Sequence, residues 1–562
     1  GIADLTLSAD LAGDRPKVLG GNNGSDTNAF ANGRLAFYTT GKFGEDWKLT
    51  ATADTREGPV EDLFTNFLDK SPQSLFRRLD PDYYYPTFGD DSSIEETAPT
   101  LGKFYVKLSK RDSHLLWGNF TVRYRDNELA LVERGLYGGN ARYRSDATTR
   151  FGERRFVVDG FAADPGTIPS REDFRGTGGS VYFLKRQDLL VGSERLRVEV
   201  RDKATGIVSE VITLQPQLDY DIDYIQGRVL LSEPLSAIVG DDLLVRNDGL
   251  SGNEAWLVVQ YEYTPGFDSV NTLNVGGQAH AWITDFLKIG ATASHNQNEG
   301  VDSSLYAADL TLRKSPRSWI KLQAARSEGV VSTAEVSGDG GYTFTSIGDP
   351  GFRVDDAYAY RADVAIGFAD LLGFGRGELN LYGQRREAGY TAPGLATPRD
   401  VDQYGALLRM PVLDTVHVTA KGDRTVEDRG LTTLAAELDV EWSIGEFWSV
   451  DVGARHDERE DDSPVVVATQ EEGDRTDAVV QIEFDPKARW RTWIFGQGTL
   501  RATGDRPDNH RGGVGGELRV NDRISVDGEV SHGDLGPAAK VGTAYQHSER
   551  TNLYMNYALD NE

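Results

Sequence analysis

One repeating pattern runs from about Asp268 to the end of the chain and restricts the fold more than any other feature. Strands of roughly ten residues alternate apolar and polar side chains, and a short turn and a longer acidic loop follow them in turn. Successive side chains on a strand point to opposite faces, so each strand has one apolar and one polar face. Regular alternation of short turns with long loops is typical of an up-and-down transmembrane β-barrel.

Residues 434–455 show the alternation most clearly, with apolar side chains on one face of a hairpin and charged side chains on the other. We predict that the apolar face contacts lipid and that the charged face, with the polar face of the strand near residue 290, lines a hydrated lumen. The predicted lipid-facing residues are Leu434, Leu438, Val440, Val450 and Val452. The predicted lumen-facing residues are Lys288, Thr292, Glu437, Asp439, Glu441, Asp451 and Arg455.

The number of strands indicates a barrel rather than a sandwich. Eight hairpins give about sixteen strands in residues 268–562, and seven candidate strands lie in residues 1–163. The predicted fold class is therefore all-β, a large antiparallel transmembrane barrel of about 22–26 strands. Bacterial single-chain barrels have even strand numbers. We therefore expect the natural polypeptide or a partner chain to supply at least one further strand, between residues 2–9 and 551–559.

Aromatic residues near strand ends are candidates for the two membrane interfaces, where tyrosine and tryptophan are enriched. The candidates are Trp448, Trp490, Trp493 and Tyr557. Ordinary packing within a β-sheet is the alternative for each of them.

Two segments interrupt the strand pattern. The connection 57–101 is unusually long and contains a helix-compatible run at residues 60–67. Residues 164–267 contain short strands at sandwich-like spacing, which predicts an inserted small β-sandwich, either a plug in the lumen or an extracellular domain. Within it, Asp219, Asp221 and Asp223 share one face of a strand and are a candidate calcium site, with strand-edge polarity as the alternative.

Several short motifs in residues 80–263 resemble those of SprA-type proteins, which are large bacterial outer-membrane secretion translocons. They are DPDYYYP at 80–86, GKFYV at 102–106, WGNF at 117–120, RGLYG at 134–138, VEVRD at 198–202 and DIDY at 221–224. The resemblance implies a large barrel in a bacterial outer membrane. It implies no catalytic residue, and SprA-type chains are several times longer than this one.

Composition excludes several other classes. The mean hydropathy of -0.45 and the absence of any run of about eighteen apolar residues exclude a helical membrane protein. A net charge of -28 argues against nucleic-acid binding, and the absence of cysteine rules out disulfides and thiolate metal sites. The sequence contains no His-Glu-x-x-His, nucleophile-elbow or phosphate-loop motif, so we predict that the chain is not an enzyme.

Acidic pairs in the loops suggest one kind of membrane partner. They could hold divalent cations that bridge to lipopolysaccharide, although a solvated acidic surface is the simpler reading. These pairs are Asp90 with Asp91, Glu95 with Glu96, Asp461 with Asp462, and Glu471 with Glu472. Because no signal peptide precedes Gly1, we expect a processed protein or a fragment.

The sequence therefore predicts a porin-like barrel of a Gram-negative outer membrane. It would act as a conduit for transport or secretion, or as the membrane base of an envelope assembly. Its expected partners are outer-membrane lipid, lipopolysaccharide and periplasmic or surface envelope proteins. The alternative is a secreted or surface-anchored β-rich adhesin without a pore, and solubility without detergent would distinguish it.

Overall fold

The structure is a computed structural model. It describes residues 1–9, 29–44, 46–55, 58–60, 104–163, 167–190, 192–202, 206–216, 218–239, 244–246, 252–263, 273–298, 301–330, 334–347, 353–373, 375–393, 395–462, 472–548 and 551–559. Apart from Val60, the predicted helix-compatible run lies outside these residues, as do most of the connection 57–101, the first two acidic pairs and Glu471 of the last pair. Within the described ranges, no helix has the length and hydropathy needed to cross a membrane.

Most of the chain forms one large antiparallel sheet. Its first strands are β1 (Ile2–Ala9), β2 (Ala29–Phe43), β3 (Trp47–Asp54), β4 (Gly58–Pro59), β5 (Tyr105–Lys110), β6 (Ser113–Tyr124), β7 (Val132–Arg144) and β8 (Phe156–Ala163). After an insert, the sheet continues with β17 (Leu273–Trp282), β18 (Leu287–Asn298), β19 (Val301–Ser315), β20 (Ser318–Val330), β23 (Arg353–Gly367), β24 (Glu378–Arg386), β27 (Val401–Leu413), β28 (Val416–Glu427), β29 (Leu431–Ile444), β30 (Trp448–Asp461), β31 (Gly473–Phe484), β32 (Trp490–Ala502), β33 (Arg511–Asn521), β34 (Ile524–Gly533), β35 (Gly536–Ser548) and β36 (Thr551–Leu559).

The order of these strands confirms the predicted up-and-down antiparallel sheet. Each pairs with the next one along the chain, and β8 pairs with β17 across the insert. Short β4 is a side branch on β2. The meander thus contains seven strands before the insert and sixteen after it, within the predicted range. Among the described pairings none joins β1 to β36, and the expected further strand stays a prediction.

The insert is built from two facing sheets. Its strands are β9 (Ile168–Arg175), β10 (Val181–Phe183), β11 (Arg195–Arg201), β12 (Val208–Thr213), β13 (Tyr220–Asp223), β14 (Arg228–Leu231), β15 (Ile238–Val239) and β16 (Asn253–Tyr263). One sheet has the order β12-β11-β16-β9, with β15 beside β16, and the other has the order β10-β14-β13. Their shared core includes Phe174, Tyr182, Leu196, Val229 and Leu257, all almost fully buried.

A connection of the large sheet adds two strands to this insert. They are β21 (Ala334–Ser337) and β22 (Thr345–Ile347), and β21 pairs in parallel with β9. Phe344 of the same connection packs edge-on against Phe174 in the insert core. The remaining described elements are the hairpin of β25 (Thr391–Ala392) and β26 (Leu395–Ala396), and one short helix, α1 (Phe368–Leu372). The insert is therefore completed by residues far beyond the predicted boundary at 267.

The large sheet curves around the insert. The insert's Arg195 bonds to Thr121 on β6, and its Glu233 bonds to Tyr554 on β36. These are the fifth and twenty-third strands of the meander, eighteen steps apart, which would be about 85 Å in a flat sheet. A folded unit of roughly 100 residues has a radius of gyration of only about 13 Å. One insert can therefore touch both strands only if the sheet wraps around it as a barrel.

One predicted strand begins too early. The sequence pattern indicates a strand from Leu129, but β7 begins at Val132. Leu129 and Ala130 instead pack on alanines of β19, β20 and β23. These two apolar residues are therefore buried by packing against distant strands and do not belong to β7.

Candidate functional site

The two faces of the large sheet differ sharply, as β29 and β30 show. Leu438 and Val452 are 48% and 46% exposed, whereas Glu437 and Arg455 on the alternate positions are 6% and 3% exposed. We call the face with Glu437 and Arg455 the inner face, because the insert packs against it, and the opposite face the outer face. Large apolar side chains are thus exposed on the outer face while charged ones are buried on the inner face.

The predicted facing residues fall on these two faces as follows. Positions on the inner face are Lys288, Thr292, Glu437, Asp439, Glu441, Asp451 and Arg455, of which Glu441 is exposed and the others are buried or half-buried. Positions on the outer face are Leu434, Leu438, Val440, Val450 and Val452, which are half-buried or exposed. Trp448, Trp490 and Tyr557 are exposed on the outer face.

Trp493 does not belong to the interface aromatics. It lies on the inner face of β32, where its Nε1 donates a hydrogen bond to Glu529 Oε2 at 2.8 Å. Because Trp490 and Trp493 are three positions apart, strand alternation places them on opposite faces. The prediction for Trp493 was therefore wrong.

The insert is fixed to the wall at its base, where the chain enters and leaves it. Arg134 of β7 makes a two-pronged ion pair with Glu262 of β16, with Nε–Oε1 and Nη2–Oε2 distances of 2.6 and 3.0 Å. The same guanidinium donates to Asn274 and Asn296 on β17 and β18. A Cβ on Gly135 would lie 2.7 Å from Ser193 Cα, so glycine permits this close approach. We call this contact the root.

A second attachment lies on the far side of the barrel. Leu244, Val245 and Arg246, which we call the latch, dock on β31–β34 from the connection between β15 and β16. Arg246 pairs with Glu529 through Nε–Oε1 and Nη2–Oε2 distances of 3.0 and 2.7 Å, and both side chains are buried. Its guanidinium carbon lies 3.4 Å from the centre of the Phe495 ring. Charge, hydrogen bonds and ring stacking together fix the latch.

Backbone hydrogen bonds make the latch socket specific for one chain segment. Gln497 accepts from the backbone N–H of Arg246 at 2.9 Å and donates to its carbonyl oxygen at 2.8 Å. Asn509 Nδ2 donates to the same carbonyl at 2.8 Å. Val245 is buried beside Val479 and Phe495. The socket therefore pairs the main chain as well as the side chains of the latch.

Between root and latch, the insert meets the wall through a charged cluster. Asp202, which follows β11, lies 3.6 Å from Arg455 Nη2 and 3.9 Å from Lys421 Nζ. Arg455 also pairs with Glu437 at 3.2 Å. In an intact buried ion pair, the attraction roughly offsets the cost of removing both charges from water, so the pair adds little net stability. Separating the partners costs about 3–5 kcal/mol, because one charge is then left buried alone. This cluster therefore fixes the position of the insert.

The turn before β7 forms a strap along the inner face, residues 126–130. Asp126 pairs with Lys288 at 2.8 Å and with His280 at 2.9 Å. Glu128 pairs with Arg361 at 3.0 Å, and Leu129 accepts a hydrogen bond from Tyr390 at 2.7 Å. The strap therefore fills part of the lumen beside the insert.

The insert carries a buried acid of its own. Burial raises the pKa of Glu172 to about 7, against the opposing effect of hydrogen bonds from Tyr261 and from the Lys185 N–H. Burial also raises the pKa of Glu194. Glu172 accepts a hydrogen bond from Tyr261, and Glu194 accepts bonds from Tyr220 and Tyr224. These acids make the stability of the insert depend on pH.

The calcium candidates do not converge on one point. Each of the three carboxylates accepts a hydrogen bond from a different backbone N–H group. The donors are Gln215 for Asp219, Ile222 for Asp221 and Ile225 for Asp223. In the described part of the chain, no three histidine, cysteine, aspartate or glutamate residues are grouped so as to hold a metal. Calcium binding at these residues stays a prediction.

The latch and root residues could not be identified from the sequence. Arg246 stands in a loop with no periodic pattern around it, and Glu529 is one of many alternating acids on strands. The only available signal was Gly135, because a glycine inside a strand often marks a close approach of two backbones.

Comparison with known proteins gives limited information. No family model matches the chain, and no curated protein matches it. The resemblance to SprA-type proteins therefore stays a sequence-based prediction.

Three solved structures with a similar arrangement are pilus ushers. Two structures of the P pilus usher PapC translocation pore are each 10% identical, with TM-scores of 0.37 and 0.34, coverage of 94% and 95% of this chain, and 92% of each of theirs. A third is an Escherichia coli P pilus tip assembly intermediate, PapC-PapD-PapK-PapG, 12% identical with a TM-score of 0.37, covering 95% of this chain and 56% of that one. At these low scores the likeness assigns no role to any residue.

Proposed function

We propose that the chain is a bacterial outer-membrane β-barrel that forms a conduit for transport or secretion, with the insert acting as its plug. The observation that carries the proposal is the inverted placement of side chains in the barrel. Exposed apolar residues such as Leu438 and Val452 surround buried charged residues such as Glu437 and Arg455. A water-soluble β-protein would bury the former and expose the latter, whereas a lipid-embedded barrel has this arrangement.

The position of the insert supports a closed resting state. The root, the latch and the Asp202 cluster hold it against the inner face on several sides. The same architecture could serve as the membrane base of an envelope assembly, with periplasmic or surface proteins as partners. Neither role requires a catalytic residue. The adhesin alternative is not favoured, because a pore-less adhesin in water gains nothing from an exposed apolar belt.

Channel measurements on two forms of the chain test the proposal. The full chain and a variant with residues 168–263 replaced by a short Gly-Ser linker are reconstituted into planar bilayers. We expect low conductance from the full chain and a severalfold larger conductance from the deletion variant. A deletion variant that inserts but conducts no more than the full chain would rule out the plug. A full chain that stays soluble and monomeric without detergent would favour the adhesin.

A further inference from the structure

A chamber remains between the insert and the wall near the short-turn end of the barrel. It has a volume of about 1040 Å³ and is bounded by residues 207–210 of the β11–β12 hairpin, by the latch residue Leu244 and by the inner face from β20 to β32. Glu441, Arg409 and His417 line it close to the short turns and are exposed. The chamber is therefore reached by solvent from that end.

Acidic side chains outnumber basic ones in this chamber. Eight aspartates and glutamates line it, against four lysines and arginines. Each basic side chain already has an acidic partner: Arg361 has Asp363 and Glu128, Lys421 has Asp202 and Asp423, Arg409 has Glu378, and Arg491 has Glu517. The surplus negative charge is thus not neutralised by the lining itself.

Three of the acids form a group on neighbouring strands. Glu441 of β29 stands directly opposite Asp451 of β30, and Asp451 stands opposite Gln481, two positions from Glu483 on β31. Among the described residues, no lysine, arginine or histidine lies within ion-pair distance of these three carboxylates. Like charges directly opposite on paired strands are destabilising. The arrangement therefore attracts mobile positive charge.

Asp451 gives a second and independent indication. It is 7% exposed, and its Oδ1 atom is buried without a hydrogen-bond partner in the described structure. Its Oδ2 accepts a long bond of 3.5 Å from Ser449 Oγ, and the Gln481 side chain also reaches the carboxylate. A buried polar atom without a partner is costly, and a carboxylate oxygen facing a water-accessible chamber is readily satisfied by a cation.

We propose that this chamber is a cation-binding vestibule, centred on Glu441, Asp451 and Glu483, which makes ion passage through the conduit cation-selective. The described residues bring no three ligands together to hold a metal, so the vestibule takes small hydrated cations rather than one tightly coordinated ion. The selectivity rests on the proposed conduit, but cation binding does not. The two can therefore be tested separately.

Terbium luminescence tests the binding site directly. Trp319 lines the chamber and can sensitise a bound Tb³⁺ ion. In the folded full chain in detergent, we expect the triple variant Glu441→Gln, Asp451→Asn, Glu483→Gln to lose at least half of the tryptophan-sensitised signal. A control triple variant, Glu446→Gln, Glu458→Gln, Glu460→Gln, removes the same charge from exposed positions outside the chamber and should keep the signal. Equal signals from the two triple variants would overturn the proposal.

Reversal potentials in a tenfold KCl gradient test the consequence. We expect the full chain to prefer K⁺ over Cl⁻, and the permeability ratio to fall at least twofold in the chamber variant but not in the control. Anion preference, or an equal fall in both variants, would contradict the selectivity. No current from any form would refute the conduit, while the terbium result would still decide whether the vestibule binds cations.

Discussion

At the scale of single residues, Asp451 and Val452 show how one step along a strand changes the environment of a side chain. Asp451 lines the chamber on the inner face, and Val452 is exposed on the outer face midway between Trp448 and His456. The same alternation holds along β29 and β31. The environment of each side chain is thus set by strand parity.

A pair of arginine substitutions tests this parity. Arginine at Val452 should lower the free energy of unfolding by about 2–4 kcal/mol, since a charge would face the middle of the lipid layer. Arginine at Asp451 should be tolerated, because it would face Glu441 and Glu483 in the chamber. Denaturant unfolding in lipid vesicles measures both. Equal destabilisation by the two substitutions would show that the assigned faces are wrong.

The second prediction at this scale concerns pH and the insert. The folded-state pKa of Glu172, about 7, lies above its unfolded value of 4.5. The protonated acid therefore contributes stability that is fully present below about pH 4.5 and is lost as the pH rises through 7, by about 3 kcal/mol. The hydrogen-exchange protection factors of β9 and β16, each taken relative to the unstructured chain at the same pH, should be larger at pH 5 than at pH 8.

A glutamine at position 172 provides the control for this pH effect. Glu172→Gln keeps the shape without the charge and should flatten the pH dependence, with similar protection factors at both pH values. Insert protection factors that depend on pH equally in both proteins would assign the effect to other groups.

At the scale of elements, local pattern and tertiary packing determined different parts of the structure. The meander strands could be predicted because period-two alternation is a property of each strand alone. The start of β7 could not, since Leu129 and Ala130 pack on residues about 180 to 230 positions further along the chain. The pairing of β21 with β9 also depends on a long-range contact. Charged residues on the inner face were predictable as a class, whereas the choice of Arg246 as latch was not.

The latch is the element whose release we expect to open the conduit. Arg246→Ala removes the partner of buried Glu529 and should weaken latch docking by about 3–5 kcal/mol. In bilayers, the variant should show frequent large openings that the natural chain rarely makes. Arg376→Ala is the matched control, because Arg376 pairs with Asp414 on the exposed surface and should have no effect.

A disulfide can show that latch movement causes these openings. A Cβ at Gly453 would lie 3.1 Å from Leu244 Cβ, a few tenths of an ångström below the roughly 3.5–4.5 Å found in disulfides. It would also lie 2.5 Å from Asp439 Oδ1, so that side chain has to shift as the bridge forms; the chain has no cysteine of its own. Leu244→Cys with Gly453→Cys, added to Arg246→Ala, should suppress the openings when oxidised and restore them on reduction. Openings that persist in the oxidised protein would separate conduction from the latch.

At the scale of the whole molecule, the account depends on a barrel that places apolar side chains in lipid and encloses a folded insert. The wrap of the sheet from Thr121 to Tyr554 and the two attachments of the insert support the enclosure. An odd number of meander strands makes β1 and β36 run parallel, so the predicted further strand between them would make every pairing of the barrel antiparallel. Membrane insertion itself depends on the outer face alone.

Nitroxide scanning along β30 tests that claim most directly. Each residue from 448 to 455 is replaced singly by cysteine, labelled, and measured in nanodiscs for collision with oxygen and with a water-soluble nickel complex. We predict high oxygen accessibility at Trp448, Val450, Val452 and Ala454, and low oxygen accessibility at Ser449, Asp451, Gly453 and Arg455. A membrane-spanning barrel would be contradicted if nickel accessibility at Trp448, Val450, Val452 and Ala454 equalled that of a water-exposed loop. It would also be contradicted if oxygen accessibility did not alternate from one residue to the next.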